Sequence, residues 1–444
     1  MASRLPSSFR AHPPLLKPDL PGSCTVRQRL SRSMPAAAVL TCLIVLAARG
    51  EDPWPRWGGP DGSSHTQETD LPLKVTEDNV AWTTTLPGSG QSMPVVWGER
   101  IFLTTALDEG AKRLVLCLDR ESGRTLWEHV AWTGEPERSH RMNGHASATC
   151  ATNGKVVVAF FGRGGLHAYT LDGKLLWSRD LGAFDGPWGT AASPIFYGDT
   201  VIQNCDSESP ESALVAFDSR TGETLWSTPR QVIRGWSTPI VIDTPQREEL
   251  ILNSHTGVRS YNPRTGEELW SCDGFNGRGE PVPAWAHDKL YVINGLMGDI
   301  YCVRPGGEGD VTKTHRLWHT TRRAGRDLPS PVVVGDVLLG CSMAGILVGY
   351  DCETGKELWK ERIGSKFATT PLVCGERAYL LAEDGELIVI EPDAAAAHIV
   401  AKSRLESDRE EVFRSSIVPC QGQLLIRSTK ALYCIGPNAA GAGD

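Results

Sequence analysis

The chain has 444 residues, a formal net charge of -8 and a pI near 5.8. That balance excludes the clustered Lys and Arg of a nucleic-acid surface, so no nucleic acid is expected as a partner. No stretch after residue 50 is apolar over the roughly 20 residues that a membrane helix needs, so no transmembrane segment is expected in the mature chain.

Residues 1–33 carry Arg4, Arg10, Lys17, Arg27, Arg29 and Arg32 against one acid, Asp19. An apolar run, Pro35 to Ala48, follows; it is too short to span a bilayer. A basic flank, a short apolar core and the small-x-small triplet Ala48-Arg49-Gly50 describe an export signal cleaved before Glu51. The expected organisation is a leader over 1–50, an N-terminal extension over 51–78, one repeat domain over 79–436 and a flexible tail over 437–444. The competing readings of the leader are a membrane anchor and a misplaced start, since Met34 opens the apolar run. Export permits disulfides. Yet Cys117, Cys302 and Cys434 sit inside apolar strand patterns, where thiols act as small hydrophobes.

Residues 79–86 (NVAWTTTL) form the first predicted strand. Six later stretches end in a turn, then leucine, then tryptophan, at Trp127, Trp177, Trp226, Trp270, Trp318 and Trp359. Steps of 50, 49, 44, 48 and 41 residues between them mark one supersecondary unit copied around a ring or along an array. Each unit holds four short strands. The first follows a Ser/Thr-Pro-like pair such as Ser193-Pro194, Thr238-Pro239, Ser330-Pro331 or Thr370-Pro371, where proline spares a ladder donor. Second strands run from RIFLTT to QLLIRS, third strands from LVLCLD to LYCIG, eight of each; the fourth carries the Leu-Trp. The last unit ends at Ile435 without a fourth strand. Residues 79–86 supply it, which closes the circle and removes the open edges of a linear array. The fold class expected is therefore all-β, an eight-bladed β-propeller of four-stranded antiparallel blades closed by the N-terminal strand. The turn glycines, such as Gly222, Gly266 and Gly355, provide positive φ for short hairpins. Trp82, Trp127, Trp177, Trp226, Trp270, Trp318 and Trp359 are expected to dock one blade on the next.

The pattern D-x-x-T-G-x-x-L-W after a Leu-x-Ala-x-Asp-like strand resembles the pyrroloquinoline-quinone-like (PQQ-like) propeller repeat, over residues 54–435. The opening Trp54-Pro55-Arg56-Trp57-Gly58-Gly59-Pro60 and the segments 189–206 and 235–243 resemble an exported, planctomycete-type subgroup related to the outer-membrane assembly factor propeller. The resemblance admits two roles. One is a cofactor-free scaffold; the other is a quinoprotein dehydrogenase holding PQQ and Ca²⁺ in the central channel. Such dehydrogenases cover the quinone with neighbouring cysteines, and no two cysteines are adjacent here. The resemblance thus implies a non-catalytic binding module without cofactor, in the periplasm or cell envelope.

In such a ring the turns after first and third strands open on one face and are short, as at Gly198-Asp199 and Gly335-Asp336. The long loops 128–146, 178–192, 227–237, 271–281, 319–329 and 403–414 open on the other, which is the expected working face. Residues preceding each first strand are the candidate binding set at the channel mouth: Asn143, His145, Trp188, Arg234, Trp236, Glu280, Arg326, Asp327, Lys366 and Arg414. The alternative for this set is a network of ion pairs around water. Arginine forks match carboxylates, and the partner expected is a protein, peptide or polysaccharide. His140 and His145 share one loop without a metal motif, no Asp-rich calcium loop occurs and no G-x-S-x-G elbow occurs, so neither a metal site nor a catalytic residue is assigned.

Overall fold

A computed structural model describes residues 53–437 except 209–211, 233–234, 275–277, 297, 323–325 and 327–328. The expected leader, the tail beyond Pro437, and candidates Arg234 and Asp327 lie outside the described residues.

Eight sheets each hold four antiparallel strands, ordered from innermost to outermost as in the chain except that one takes its outermost strand from the N-terminal side. We number the blades 1 to 8 by their innermost strands: Val95–Trp97, Ala151–Thr152, Ile195–Tyr197, Ile240–Asp243, Ala284–Ala286, Val332–Val334, Leu372–Cys374 and Val418–Cys420. The closing strand is Val80–Thr85. It pairs antiparallel with Ala431–Ile435 at the outside of blade 8, with Trp82 opposite Cys434. Hydrophobic clusters lie between blades, as where Phe102 and Val115 of blade 1 meet Val157 and Tyr169 of blade 2. One cluster joins blades 7, 8 and 1 through Leu387, Leu425 and Ile101, so the core is as continuous across the closure as elsewhere. All ten cysteines among the described residues are buried free thiols.

Two circumferential seams explain the repeat. The inner seam uses the hydroxyl found before six of the eight innermost strands. The backbone N–H of Met93 donates to Thr149 Oγ1 at 2.9 Å, that of Thr149 to Ser193 Oγ at 2.9 Å and that of Ser193 to Thr238 Oγ1 at 3.0 Å. The series resumes from Val282 to Ser330, Ser330 to Thr370 and Thr370 to Ser416, at 2.9–3.1 Å. It breaks where the chain places Val282 and Met93, which have no hydroxyl. There Ser237 Oγ donates to the Pro281 carbonyl and Ser415 Oγ to the Ser92 carbonyl, both at 3.2 Å.

The outer seam sets Trp82, Trp127, Trp177, Trp226 and Trp318 each on the turn glycine of the next blade, while Trp359 meets a turn without glycine at Asp393. A Cβ on Gly123, Gly222, Gly266 or Gly355 would stand 2.3–2.5 Å from the ring or a neighbouring atom of Trp82, Trp177, Trp226 or Trp318 respectively. Glycine is thus required twice over, for positive φ and for the indole's approach. Trp127 donates to the Leu171 carbonyl, Trp177 to Ser219, Trp318 to Cys352 and Trp359 to Asp393, each in the following blade. Blade 4 departs from this rule. Blade 5 lacks the Thr-Gly turn, and its longer hairpin folds back so that Gly309–Asp310 pairs in parallel with Trp270 and Ser271. Trp270 is thereby roofed and fully buried, and its indole donates within its own blade to Glu249 Oε2 at 2.7 Å.

The segment before the closing strand crosses the channel near the short-turn face. Trp54 exchanges two backbone hydrogen bonds with Val96 of blade 1, and the N–H of Thr152 in blade 2 donates to the Pro55 carbonyl. Gly62 packs on Ile240 of blade 4. His65–Thr66 then pairs in parallel with Val373 and Cys374 of blade 7, and Glu68 accepts the N–H groups of Gln421 and Gly422 in blade 8. Trp57 packs against the clusters of blades 4 and 5 and of blades 7, 8 and 1, on opposite sides of the ring. The segment Trp54–Gly62 is therefore a plug, and the channel is open at one end.

Candidate functional site

At the long-loop face the channel widens into a cup of about 210 Å³. Its wall includes the inner-seam residues Thr149, Thr238, Ser330 and Thr370, its floor is Trp57, and its rim carries Trp188, Trp236, Met142, Arg278, Arg326 and Arg414.

The long loops that bear the rim are tied to one another. Gln91 Nε2 donates to the Asn143 carbonyl, and Asn143 Nδ2 donates to the Trp188 carbonyl at 2.9 Å and to that of Thr190 at 3.3 Å. The Trp236 indole donates to the Gly189 carbonyl at 2.8 Å, and the Trp236 N–H to that of Gly279 at 3.4 Å. Asn143 and Trp236 thus hold four loops in fixed positions, a rigid support for whatever binds above. Buried ion pairs anchor the same loops to the blades. Arg230 meets Asp206 at 2.7 and 3.1 Å, with both side chains buried. Arg113 meets Glu137 Oε1 at 3.2 Å, also contacts Glu137 Oε2, and lies 4.5 Å from the Trp132 ring.

His145 belongs to this second anchor and not to the cup. Its Nδ1 is 3.3 Å from Arg113 Nη2 and 4.0 Å from Glu137 Oε2. Burial, then Arg113, lowers its pKa, with Glu137 opposing. Replacing Arg113 by Met is expected to cost about 3–5 kcal/mol in urea unfolding, because Glu137 would remain as a buried charge without its partner. Removing both charges together, as Arg113→Met with Glu137→Leu, should recover most of that loss.

Among the other candidates, Lys366 lies outside the cup, on a ridge between two grooves of blades 5 to 8. Asn143, Trp188, Trp236, Glu280, Arg326 and Arg414 do converge on it. So do residues that choosing the position before each strand passed over. Trp57 comes from the extension. Arg278 lies two positions before Glu280, and the signal for it was an arginine in a long loop. Its guanidinium stacks 4.3 Å from the Trp188 ring and 6.0 Å from that of Trp236. Arg278 Nη1 is 3.9 Å from Glu280 Oε1, and Arg414 Nε donates to Glu383 Oε1 at 2.7 Å. Arg326 Nε is buried with no acceptor among the described residues. His140 packs against Trp188 with the rings tilted by 44° and 5.1 Å between centroids. Its pKa is lowered by burial and then by Arg326, Arg141, Arg278 and Arg414, so four cations act on one imidazole.

The sequence matches a known family. The family model described as "Outer membrane protein assembly factor BamB" (PQQ_2) matches residues 73–240, 170–305 and 254–430, in overlapping segments that cover most of the chain. The chain belongs to that family. Outer membrane protein assembly factor BamB of Salmonella typhimurium is 26% identical over 230 residues, which is 50% of this chain and 57% of that protein. The Yersinia pestis protein of the same name is 25% identical over 234 residues, again 50% and 57%. The chain thus aligns with a little over half the length of these curated relatives. Among solved structures, BamB from Moraxella catarrhalis superposes with a TM-score of 0.59 at 16% identity, covering 80% of this chain and 99% of that one. Quinohemoprotein alcohol dehydrogenase from Comamonas testosteroni gives 0.62 at 11% identity, covering 86% and 80%. At these identities both show the propeller fold alone. In the BamB-type ring described here, no helix among the described residues is long and apolar enough to cross a membrane.

Proposed function

We propose that this BamB-type propeller is an exported, non-catalytic scaffold of the cell envelope that binds a protein partner on its long-loop face. The observation that carries the reading is the difference between the two ends of the channel. One end is stopped by the protein's own N-terminal segment, while the other is a braced, aromatic and cationic cup. Membership of a family described by an assembly factor supports a protein partner, and the basic, apolar leader supports export.

The residues present do not fit the quinone and calcium pair of the dehydrogenases that share the fold. The Trp188 face that would stack a quinone is taken by Arg278 and His140. Among the described residues no three His, Cys, Asp or Glu side chains come together to hold a metal. Mixing the purified protein with PQQ and Ca²⁺ is therefore expected to leave its melting temperature unchanged and to produce no dye-linked alcohol or sugar oxidation.

The direct test is photo-crosslinking in the native envelope. A photoreactive residue at Met142 or Arg141 on the long-loop face should capture a protein partner reproducibly. The same residue at Gly335 or Gly375, in the short turns, should not. Capture from both faces equally, or from neither, would remove the basis for a working face.

A further inference from the structure

We infer that the cup is a receptor for a carboxylate carried by a segment of the protein partner, inserted end-on between Trp188, Trp236 and Trp57. The inference rests on the scaffold reading above and adds the chemistry of the contact.

Charge is the first support. Among the described residues three guanidiniums, Arg278, Arg326 and Arg414, and one carboxylate, Glu280, line the cup. Glu383 stands behind Arg414, so among the described residues one cation is in excess, with Arg141 acting on the same imidazole. Arg326 contributes a buried Nε–H without an acceptor among the described residues, and an unmade hydrogen bond of this kind is costly until a ligand supplies the acceptor. Arg278 lies with its guanidinium carbon 4.3 Å from the centre of the Trp188 ring, so cation and aromatic wall stand side by side in the cup.

Shape is the second support. At about 210 Å³ the cup falls below the roughly 300–1,000 Å³ of small-molecule and cofactor sites. Because the Trp54–Gly62 plug closes the floor, nothing threads through. A ligand enters from the long-loop face and stops at Trp57. A blind, narrow cup suits one side chain or one chain end and leaves no room for the repeated sugars of a polysaccharide. The aromatic wall receives the apolar stem behind the carboxylate while the arginines receive its oxygens.

The test uses the full mature protein and three N-acetylated pentapeptides. One, Gly-Ser-Gly-Glu-Phe amide, carries a side-chain carboxylate. A second, Gly-Ser-Gly-Gln-Phe with a free C-terminus, carries a terminal one. The third, Gly-Ser-Gly-Gln-Phe amide, carries none, and citrate serves as a free small anion. Indole N–H resonances of Trp57, Trp188 and Trp236, assigned by Trp→Phe variants, report occupancy. At least one of the two acidic peptides is expected to shift these signals saturably, and which one does so identifies the source of the carboxylate. The neutral peptide should not shift them. The Arg326→Gln variant should weaken binding about tenfold or more at an unchanged melting temperature, and Arg326→Lys should restore it in part. Occupancy should also raise the His140 pKa, because an anion among Arg141, Arg278, Arg326 and Arg414 favours the imidazolium. Equal binding of the neutral peptide, no response to either acidic one, or a response to citrate alone would overturn the inference. Crosslinks confined to the long-loop face with no peptide response would end this inference and leave the scaffold reading standing. Loss of the crosslink asymmetry would end both.

Discussion

Deleting residues 51–90 is expected to leave no monomeric, cooperatively melting ring. The deletion removes the strand Val80–Thr85 and uncovers Ala431–Ile435, an apolar strand with an open row of backbone groups. Such an edge is a template for pairing with other chains. It also removes Trp82 from Gly123 and the hydrogen bond from Thr84 Oγ1 to the Gly123 carbonyl, which join blade 8 to blade 1. The plug is lost as well, with its contacts to blades 1, 2, 4, 7 and 8. Size-exclusion chromatography should show aggregate or no folded species, and circular dichroism no cooperative transition. A monomer melting like the full chain would mean that the circle is held elsewhere. A milder variant, Thr84→Pro, takes a ladder donor from the closing strand together with the hydroxyl bond to Gly123 and should lower the melting temperature without removing the plug.

The second large effect is expected at Trp270. Truncating a buried large aromatic costs about 3–5 kcal/mol, and Trp270→Ala adds to this the loss of a donor from Glu249. That carboxylate is fully buried and accepts hydrogen bonds from Trp270 Nε1, Ser260 Oγ and Arg247 Nε at 2.7–3.0 Å. Trp226 occupies the same place in the repeat but is half-buried, and its indole N–H has no acceptor among the described residues. Trp226→Ala should therefore cost clearly less than Trp270→Ala in urea unfolding at matched m-values. Equal losses would mean that the roof over Trp270 adds nothing. Trp270→Phe separates the two contributions, since it keeps most of the apolar contact and loses only the bond to Glu249.

The comparison of these two tryptophans shows what the repeat could and could not convey. The period, the alternation and the missing fourth strand were enough to give eight blades and a closing N-terminal strand, because each follows from backbone pairing that the hydrophobic pattern reports directly. The turn glycines were legible as sites of positive φ. Their second role, as landing places for the preceding blade's indole, depends on an approach between blades that no single repeat encodes. The Ser/Thr before six of the eight innermost strands read as strand entry; its hydroxyl proves to be the acceptor that joins neighbouring blades. The degenerate hairpin before Trp318 gave no sign that Gly309–Asp310 would fold onto blade 4.

The cup was partly legible for the same reason. Counting back from each first strand finds the rim wherever the loop enters directly, as at Trp188, Trp236 and Arg414. It fails at His145, where a buried arginine on a different strand draws the imidazole away from the channel. It also fails at Lys366, whose loop leaves the rim one residue pair before Ala368 reaches it. Trp57 could not be placed by counting, because the plug is not part of any repeat. The opening motif was visible as a resemblance, and its physical task appears only when Trp54, Trp57 and Gly62 are seen to touch different blades.

The account depends on a single-ended, positively charged cup. A cysteine placed at Met142 on its rim reads both properties through its rate of reaction with methanethiosulfonate reagents of opposite charge. The native thiols should stay silent, since burial pushes those of Cys117, Cys150 and Cys302, for example, up to about 12. The anionic reagent is predicted to react about tenfold faster than the cationic one at low salt, an advantage that salt and the Arg278→Gln, Arg326→Gln pair both reduce. Equal rates, or a faster cationic reagent, would contradict the account.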